Sequence, residues 1–272
     1  MSRIALWTTY YDPHDEDRKS EFLRCLTINS ENPSIDIVYI LTEDADVPIN
    51  NHKVKIIHIL ERPSYNTFFD NYKLLEPESI NILVNTDIVL DYRHTTRLLY
   101  IKPNQFIALS RYEFMLSTED VQTMMDILKQ PVELFGNHVL LKSQFYYSQD
   151  AWAILGYPKV SDVFTEKIGV PCCDGRVAYR FHKLGYEVYN PCLSVFTYHF
   201  HKSKDRTHYL PSCEGNVAYI RPTSLGAILD PTVSQVDIFF RDGEPQVLEE
   251  PIVLEEPILI QRKKPLLSFL RI

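Results

Sequence analysis

The sequence predicts an α/β domain built round a mainly parallel sheet, on three observations. Residues 4–8 form a continuous apolar run typical of a buried parallel strand, and 35–41, 54–59 and 80–90 read as a second, third and fourth strand. Helical or loop material separates them, the alternation a parallel sheet requires. A chain of 272 residues with 45% hydrophobic and 12% aromatic content has enough apolar surface for one sizeable core.

Each element has a local reason. Over residues 18–29 Phe22, Leu23, Leu26 and Ile28 recur at helical spacing, and Asn32-Pro33 stops the run. Further on, residues 106–110 read as a strand and 118–129 as a helix capped at Ser117 or Thr118, with Glu119 and Asp120 in its first turn. A short strand is expected at 139–141, a helix at 174–184 ending on Gly185, and strands at 187–189 and 195–199. One compact domain over residues 1–211 accounts for these.

Residues 212–272 differ in kind and form a C-terminal extension. The near-repeat LEEPIVLEEPI places Pro251 and Pro257 where they oppose a helix, so an extended acidic spacer is expected. Arg262, Lys263 and Lys264 then precede an apolar tip. Such a tail either makes peripheral contact with an anionic membrane or a partner, or packs on its own domain or stays unstructured.

A formal net charge of -8 excludes a nucleic-acid backbone as the main partner, since that binding depends on clustered Lys and Arg. Cys25, Cys172, Cys173, Cys192 and Cys213 are odd in number and lack the paired spacing of a zinc site. Reduced thiols in a cytosol are expected. No secretory signal or membrane-spanning run is visible, so the expected location is cytoplasmic, soluble or peripherally membrane-associated.

The chemistry-bearing residues begin at the end of the fourth run. An apolar strand ending in Asn85-Thr86-Asp87 puts oxygen-bearing side chains at the C-terminal edge of the sheet, where open α/β folds bind ligands. Asp87 is a candidate ligand for a hard cation, which takes one or two carboxylates plus substrate phosphates. Asp174 stands at the start of a predicted helix, where the dipole favours an ionised carboxylate. In strand geometry His199 and His201 point to one side.

Taken together, Thr8-Thr9-Tyr10-Tyr11, Arg62-Pro63-Ser64-Tyr65, Asn85-Thr86-Asp87, Leu109-Ser110-Arg111, Gln149-Asp150-Ala151-Trp152, Cys173-Asp174 and the late His-x-His resemble the GT-A class of glycosyltransferases, over roughly residues 1–209. The likeness is to small sugar transferases of large DNA viruses and bacteria. It implies a Rossmann-like mixed sheet and transfer of a sugar from a nucleotide-sugar, UDP-sugar favoured and GDP-sugar possible, to a glycan or glycoconjugate hydroxyl. It also implies Mn²⁺ or Mg²⁺ at the place of the family's Asp-x-Asp motif, where this chain has Asn85 for the first Asp. Asp87 then carries more of the metal binding, helped by His199 or His201.

By the same resemblance Thr8, Thr9, Tyr10 and Tyr11 lie where relatives hold base and ribose, and Asn85 and Thr86 lie beside the diphosphate. Arg62 and Arg111 contact phosphate or sugar, or form surface ion pairs. Asp174 is the expected base of an inverting reaction. Asp150 is its competitor or a holder of donor-sugar hydroxyls. Trp152 either faces a sugar ring or belongs to the core. The alternatives are a nucleotidyltransferase-like enzyme, for which no Gly-rich loop follows the first strand, and a non-catalytic sugar-binding module. The reading requires Asp87 and a late histidine to converge on a cation that grips a diphosphate; an Asp87 buried in a salt link, or His199 and His201 both remote from it, would bring it down.

Overall fold

A computed structural model describes residues 3–43, 45–113, 149–159, 163–200, 213–220, 222–223 and 238–241. The sequence-based helix at 118–129, the strand at 139–141, His201 and the tail from 246 onward lie outside the described residues.

The main sheet has seven strands: β1 (Ile4–Thr9), β2 (Ile37–Thr42), β3 (Val54–His58), β4 (Ile80–Val84), β6 (Gln105–Ser110), β8 (Gln149–Leu155) and β9 (Glu187–Tyr189). Their spatial order is β3-β2-β1-β4-β8-β6-β9. All neighbours pair in parallel except β8, which runs antiparallel to both β4 and β6. With its flanking helices this is a Rossmann-like, mixed and mainly parallel α/β architecture, as the apolar runs predict. The chain winds outward from β1 to β3, then returns to place β4 on the other side of β1. That reversal makes the β1/β4 edge a topological switch point, where such sheets form ligand crevices.

The fourth apolar run is not one strand. β4 stops at Val84, residues 85–87 turn, and β5 (Ile88–Leu90) joins a second sheet of order β5-β10-β7, with β7 at Tyr112–Glu113 and β10 at Thr197–His199. The break comes from competing partners: the Asn85 N–H bonds to the Asp150 carbonyl at 3.0 Å and the Ile88 N–H turns back to the Asn85 carbonyl at 3.0 Å. β5 then pairs antiparallel with β10, setting His199 opposite Ile88.

Helix α1 (Glu16–Glu31) starts two residues earlier than its apolar spacing suggests, because the Asp15 side chain caps it by accepting from the Arg18 N–H at 2.7 Å. Helix α2 (Tyr65–Tyr72) opens with a Ser64/Thr67 capping box. The short α3 (Tyr92–Thr95) is capped by Asp91. Helix α4 (Cys173–Lys183) stops where Gly185 takes φ 83°, a left-handed value that glycine adopts at little cost.

By the two-residue alternation of a strand, Trp7 and Tyr10 point to opposite faces. Trp7 meets Tyr72 of α2 at 5.0 Å, and Tyr10 meets Phe22 of α1 at 6.5 Å, so the two helices cover opposite sides of the sheet. On the α2 side Phe181 stacks on Phe106 at 3.7 Å and packs with Phe164 at 4.7 Å and Phe69 at 5.5 Å. Trp152 lies edge-on to Tyr65 at 5.2 Å and is buried, so it is a core residue whose ring faces no sugar. The one deep polar device on β4 is satisfied: Asn81 accepts from the Trp7 indole at 2.8 Å and donates to the Gly156 carbonyl at 2.7 Å.

Beyond residue 211, β11 (Val217–Ile220) pairs with β12 (Ile238–Arg241) and buries Ala218 and Ile220 in the main core. That core therefore continues past the expected domain edge. No helix among the described residues is long and apolar enough to cross a membrane. Phe181 joins α4 to the sheet through four aromatic neighbours, so Phe181→Ala is expected to lower unfolding free energy by about 3–5 kcal/mol in urea titrations.

Candidate active site

The turn at 85–87 leaves the C-terminal end of β4 beside the end of β1. Thr86 ties the two together, its hydroxyl donating to the Thr9 carbonyl at 2.8 Å and lying 2.9 Å from the Thr9 hydroxyl. Because β8 is antiparallel, its first residues arrive at the same edge, and Asp150 faces the turn. The Asn85 amide donates to Asp150 Oδ1 at 2.6 Å, and Arg111, between β6 and β7, donates to Asp150 Oδ2 at 2.8 Å. The Gln149 N–H donates to Asp174 Oδ2 at 3.1 Å, bringing in the first turn of α4.

On the other side of the turn stands Asp87, 8% exposed. Its Oδ2 accepts from Arg18 Nη2 at 2.8 Å and lies 3.1 Å from His199 Nε2. The Asp87 carbonyl accepts from the Phe200 N–H at 3.0 Å, which completes the join to the β10 end. Arg18 is anchored a second time by Glu21 at 2.9 Å, and its guanidinium lies over the Phe22 ring at 4.6 Å. Asn29 of α1 clamps β5 by donating to the Ile88 carbonyl at 2.8 Å and accepting from the Leu90 N–H at 3.0 Å.

The charges of these groups follow from their neighbours. Burial opposes ionisation of Asp87, but His199, Arg18 and Arg111 outweigh it and hold the carboxyl well below the ordinary carboxylate range. Asp174 behaves oppositely. Burial and the nearby Asp150 charge push its pKa up to about 6, against the backbone N–H bonds and Arg111 that favour the anion. The helix start therefore does not set its protonation, as sequence position suggests; desolvation and a like charge do. A further carboxylate, Asp91, is also buried, but it serves the fold: it caps α3 and accepts from Arg93 Nε at 2.7 Å and from the Tyr198 hydroxyl at 3.1 Å.

Of the residues singled out from sequence, Thr9, Asn85, Thr86, Asp87, Arg111, Asp150, Asp174 and His199 meet at this edge. Thr8 and Tyr10 are buried, 0% and 2% exposed, whereas Thr9 and Tyr11 are at least partly exposed. Tyr11 is 42% exposed and edge-on to Phe22 at 5.1 Å. Arg62 braces the loop before α4, donating from Nε to the Ile168 carbonyl at 3.1 Å and crowding Gly169, where a Cβ would lie 2.8 Å from Nη2. Arg18 and Glu21 are the participants that sequence reasoning missed. Their signal was there: an arginine in the first turn of a helix opposes the helix dipole and so needs another reason to be present.

As a cation site the edge offers the Asp87 carboxylate and the His199 imidazole. Their 3.1 Å separation is the spacing that neighbouring ligands take on a hard cation with bonds of ~2.1 Å. Among the described residues no group of three or more metal-ligating side chains is present, so Asp87 and His199 are the two cation ligands that the described residues offer. Asp87 is buried in a salt link with Arg18 at 2.8 Å, the first of the two outcomes that overturn the cation reading, whereas the second is not met, since His199 lies beside it.

No protein-family model matches the sequence, and comparison with curated proteins finds no match. Among solved structures the chain is similar to a 2-C-methyl-D-erythritol 4-phosphate cytidylyltransferase from Francisella tularensis, with 9% identity, TM-score 0.42, and coverage of 76% of this chain and 95% of that one. A 4-diphosphocytidyl-2C-methyl-D-erythritol synthase from Anaerococcus prevotii matches at 11% identity and TM-score 0.34, covering 75% and 79%. Mannose-6-phosphate isomerase from Helicobacter pylori matches at 12% identity and TM-score 0.31, over 42% of this chain and only 52% of its own length. Likeness at this level leaves the functional reading to the site itself.

Because Asp174 keeps its proton to higher pH when folded than when unfolded, the native state binds more protons between about pH 4 and pH 6, and stability falls as pH rises through that window. Asp174→Asn is expected to remove this fall. Urea midpoints of wild type and variant, measured from pH 4 to pH 7, should diverge in the variant's favour.

Proposed function

We propose that this protein is a cytoplasmic glycosyltransferase that moves a sugar from a nucleotide-diphosphate-sugar to an acceptor hydroxyl with inversion, Asp174 acting as base. The observation that supports this reading is the meeting of Asp174, Asp150, Arg111, Asp87, His199 and Arg18 at the switch point of the sheet. Removing a hydroxyl proton near neutral pH asks for a base whose pKa lies close below the working pH, and Asp174 at about 6 meets it. Asp150 is the competitor for that task, with one oxygen accepting from Asn85 and the other from Arg111. Its work is to position Arg111 and to raise the basicity of Asp174.

At the other end of the reaction a nucleoside diphosphate departs with growing negative charge. Positive groups held in place beforehand stabilise that charge most effectively. Arg111 and Arg18 present guanidinium forks suited to phosphate oxygens. The Mn²⁺ or Mg²⁺ that the resemblance implies, on Asp87 and His199 with His201 as a further candidate ligand, would add Lewis-acid neutralisation of the diphosphate, and the Asp87–Arg18 salt link stands against it. The exposed ring of Tyr11 offers a stacking face for the base, with a UDP-sugar the first donor to try and a GDP-sugar the second. A glycan or glycoconjugate is the acceptor class.

Incubation with UDP- and GDP-sugars and Mn²⁺ tests the reading through nucleotide release and sugar transfer. Asp174→Asn is expected to reduce turnover by about 10²-fold or more, with a calorimetric nucleotide affinity close to wild type. Near-normal turnover would hand the base role to Asp150. Asp87→Ala is expected to abolish metal-dependent donor binding, and undiminished activity in excess EDTA would overturn the metal assignment. Nucleotidyl transfer from a nucleoside triphosphate without sugar transfer would favour the nucleotidyltransferase alternative.

A further inference from the structure

The start of α4 brings together two cysteines that lie outside the site described above. We propose that Cys172 and Cys213 are a redox-sensitive pair, which an oxidant joins into a disulfide that ties the segment entering β11 to the start of α4, two residues from Asp174. The inference stands on the geometry of the thiols and does not depend on the reading of Asp174 as base.

Three observations carry it. The first is proximity: the Cys213 N–H donates to the Pro171 carbonyl at 3.0 Å. A carbonyl oxygen lies beside the Cα of the next residue across a trans peptide, so this bond holds the Cα atoms of Cys172 and Cys213 within about 7 Å. That is the span a disulfide can close without moving the backbone. The second is access. Cys172 and Cys213 are partly exposed, whereas Cys25, Cys173 and Cys192 are buried. Cys173 is also occupied elsewhere, since its Sγ accepts from the Tyr65 hydroxyl at 3.4 Å. The third is the backbone of Cys172, which takes φ 67° just ahead of α4. That left-handed conformation is costly for a residue with a side chain and recurs at switch regions. The charge balance agrees with the placing: burial, Glu166 and then Cys172 push the Cys213 thiol up to about 11. A pair that stays reduced until an oxidant rises is the usual form of a disulfide in a reducing compartment.

The oxidant class is a small-molecule disulfide. The Cys172 thiolate attacks one of its sulfurs and expels a thiolate; the Cys213 thiolate then attacks the Cys172 sulfur, forming the new S–S bond and expelling the second half. The two protein thiols give up two protons and two electrons, and the small disulfide is reduced to two thiols. Cys213 is mostly protonated near neutral pH, so its step relies on being held beside its target.

Incubation of the full chain with oxidised glutathione, followed by alkylation with iodoacetamide and tandem mass spectrometry of its peptides, reads the pairing directly. A Cys172–Cys213 crosslinked peptide is expected, lighter by two hydrogens than its separate parts and lost on treatment with dithiothreitol. Alkylation of Cys172 and Cys213 should fall together. Cys173→Ala should keep the crosslink, and Cys172→Ser or Cys213→Ser should lose it. Oxidised wild type should also unfold at a higher urea concentration than reduced wild type, because the bond constrains the unfolded chain. The wild-type peptide map depends on no variant folding. Oxidation that leaves both thiols open to alkylation, stops at glutathione adducts, joins Cys213 to Cys173 or links separate chains would overturn the pairing. A crosslink that leaves the urea midpoint unchanged or lowers it would overturn the fit of the native geometry to the bond.

Discussion

A carboxylate with 8% of its surface exposed stays ionised only if the protein supplies the compensation that water no longer gives. Asp87 obtains it from two segments distant in sequence, Arg18 at a separation of 69 residues and His199 at 112. Much of the local architecture serves that one requirement. The turn after β4 presents the carboxylate, α1 delivers the guanidinium, and the small sheet delivers the imidazole. Losing either partner would leave a buried charge underpaired, which is far more costly than losing an exposed ion pair.

The neighbouring carboxylates show the same chemistry under other conditions. Asp150 is paired on both oxygens, while Asp174 has backbone donors but sits beside the Asp150 charge. One site thus contains an anion held firmly ionised at Asp87 and one poised to exchange a proton at Asp174, a separation typical of acid–base chemistry. The reversed direction of β8 makes this possible. Had β8 been parallel, Asp150 would have stood at the opposite edge of the sheet, and Asp174 would have lacked the like charge that lifts its pKa.

Much of this could be read from the chain, and the remainder has definite reasons for being hidden. The strands β1, β2 and β4 of the parallel half were legible because they are mostly buried and so appear as largely apolar runs, whereas β3 is largely exposed and was legible only from its β-branched residues. The division of the fourth run was not, since Ile88, Val89 and Leu90 continue the apolar pattern and only their pairing with β10 assigns them to another sheet. Asp87, Asp150, Asp174 and His199 were legible as oxygen or nitrogen donors at element ends, whereas their ionisation depends on tertiary neighbours. Thr8 and Tyr10 differ from Thr9 and Tyr11 in burial, which sequence adjacency does not show. Arg18 was overlooked because its helix reads well by itself, and the carboxylate that explains it lies on another element.

The Asn29 clamp bears on how the edge can move. Asn29 and Arg18 belong to the same helix, and Asn29 fastens that helix to β5 by donating to the Ile88 carbonyl and accepting from the Leu90 N–H, two residues apart on the strand. The helix and the strand leading away from Asp87 therefore shift as one piece. Any change of partner at the guanidinium then comes from rotation about the arginine's own side-chain bonds, with no rearrangement of the scaffold.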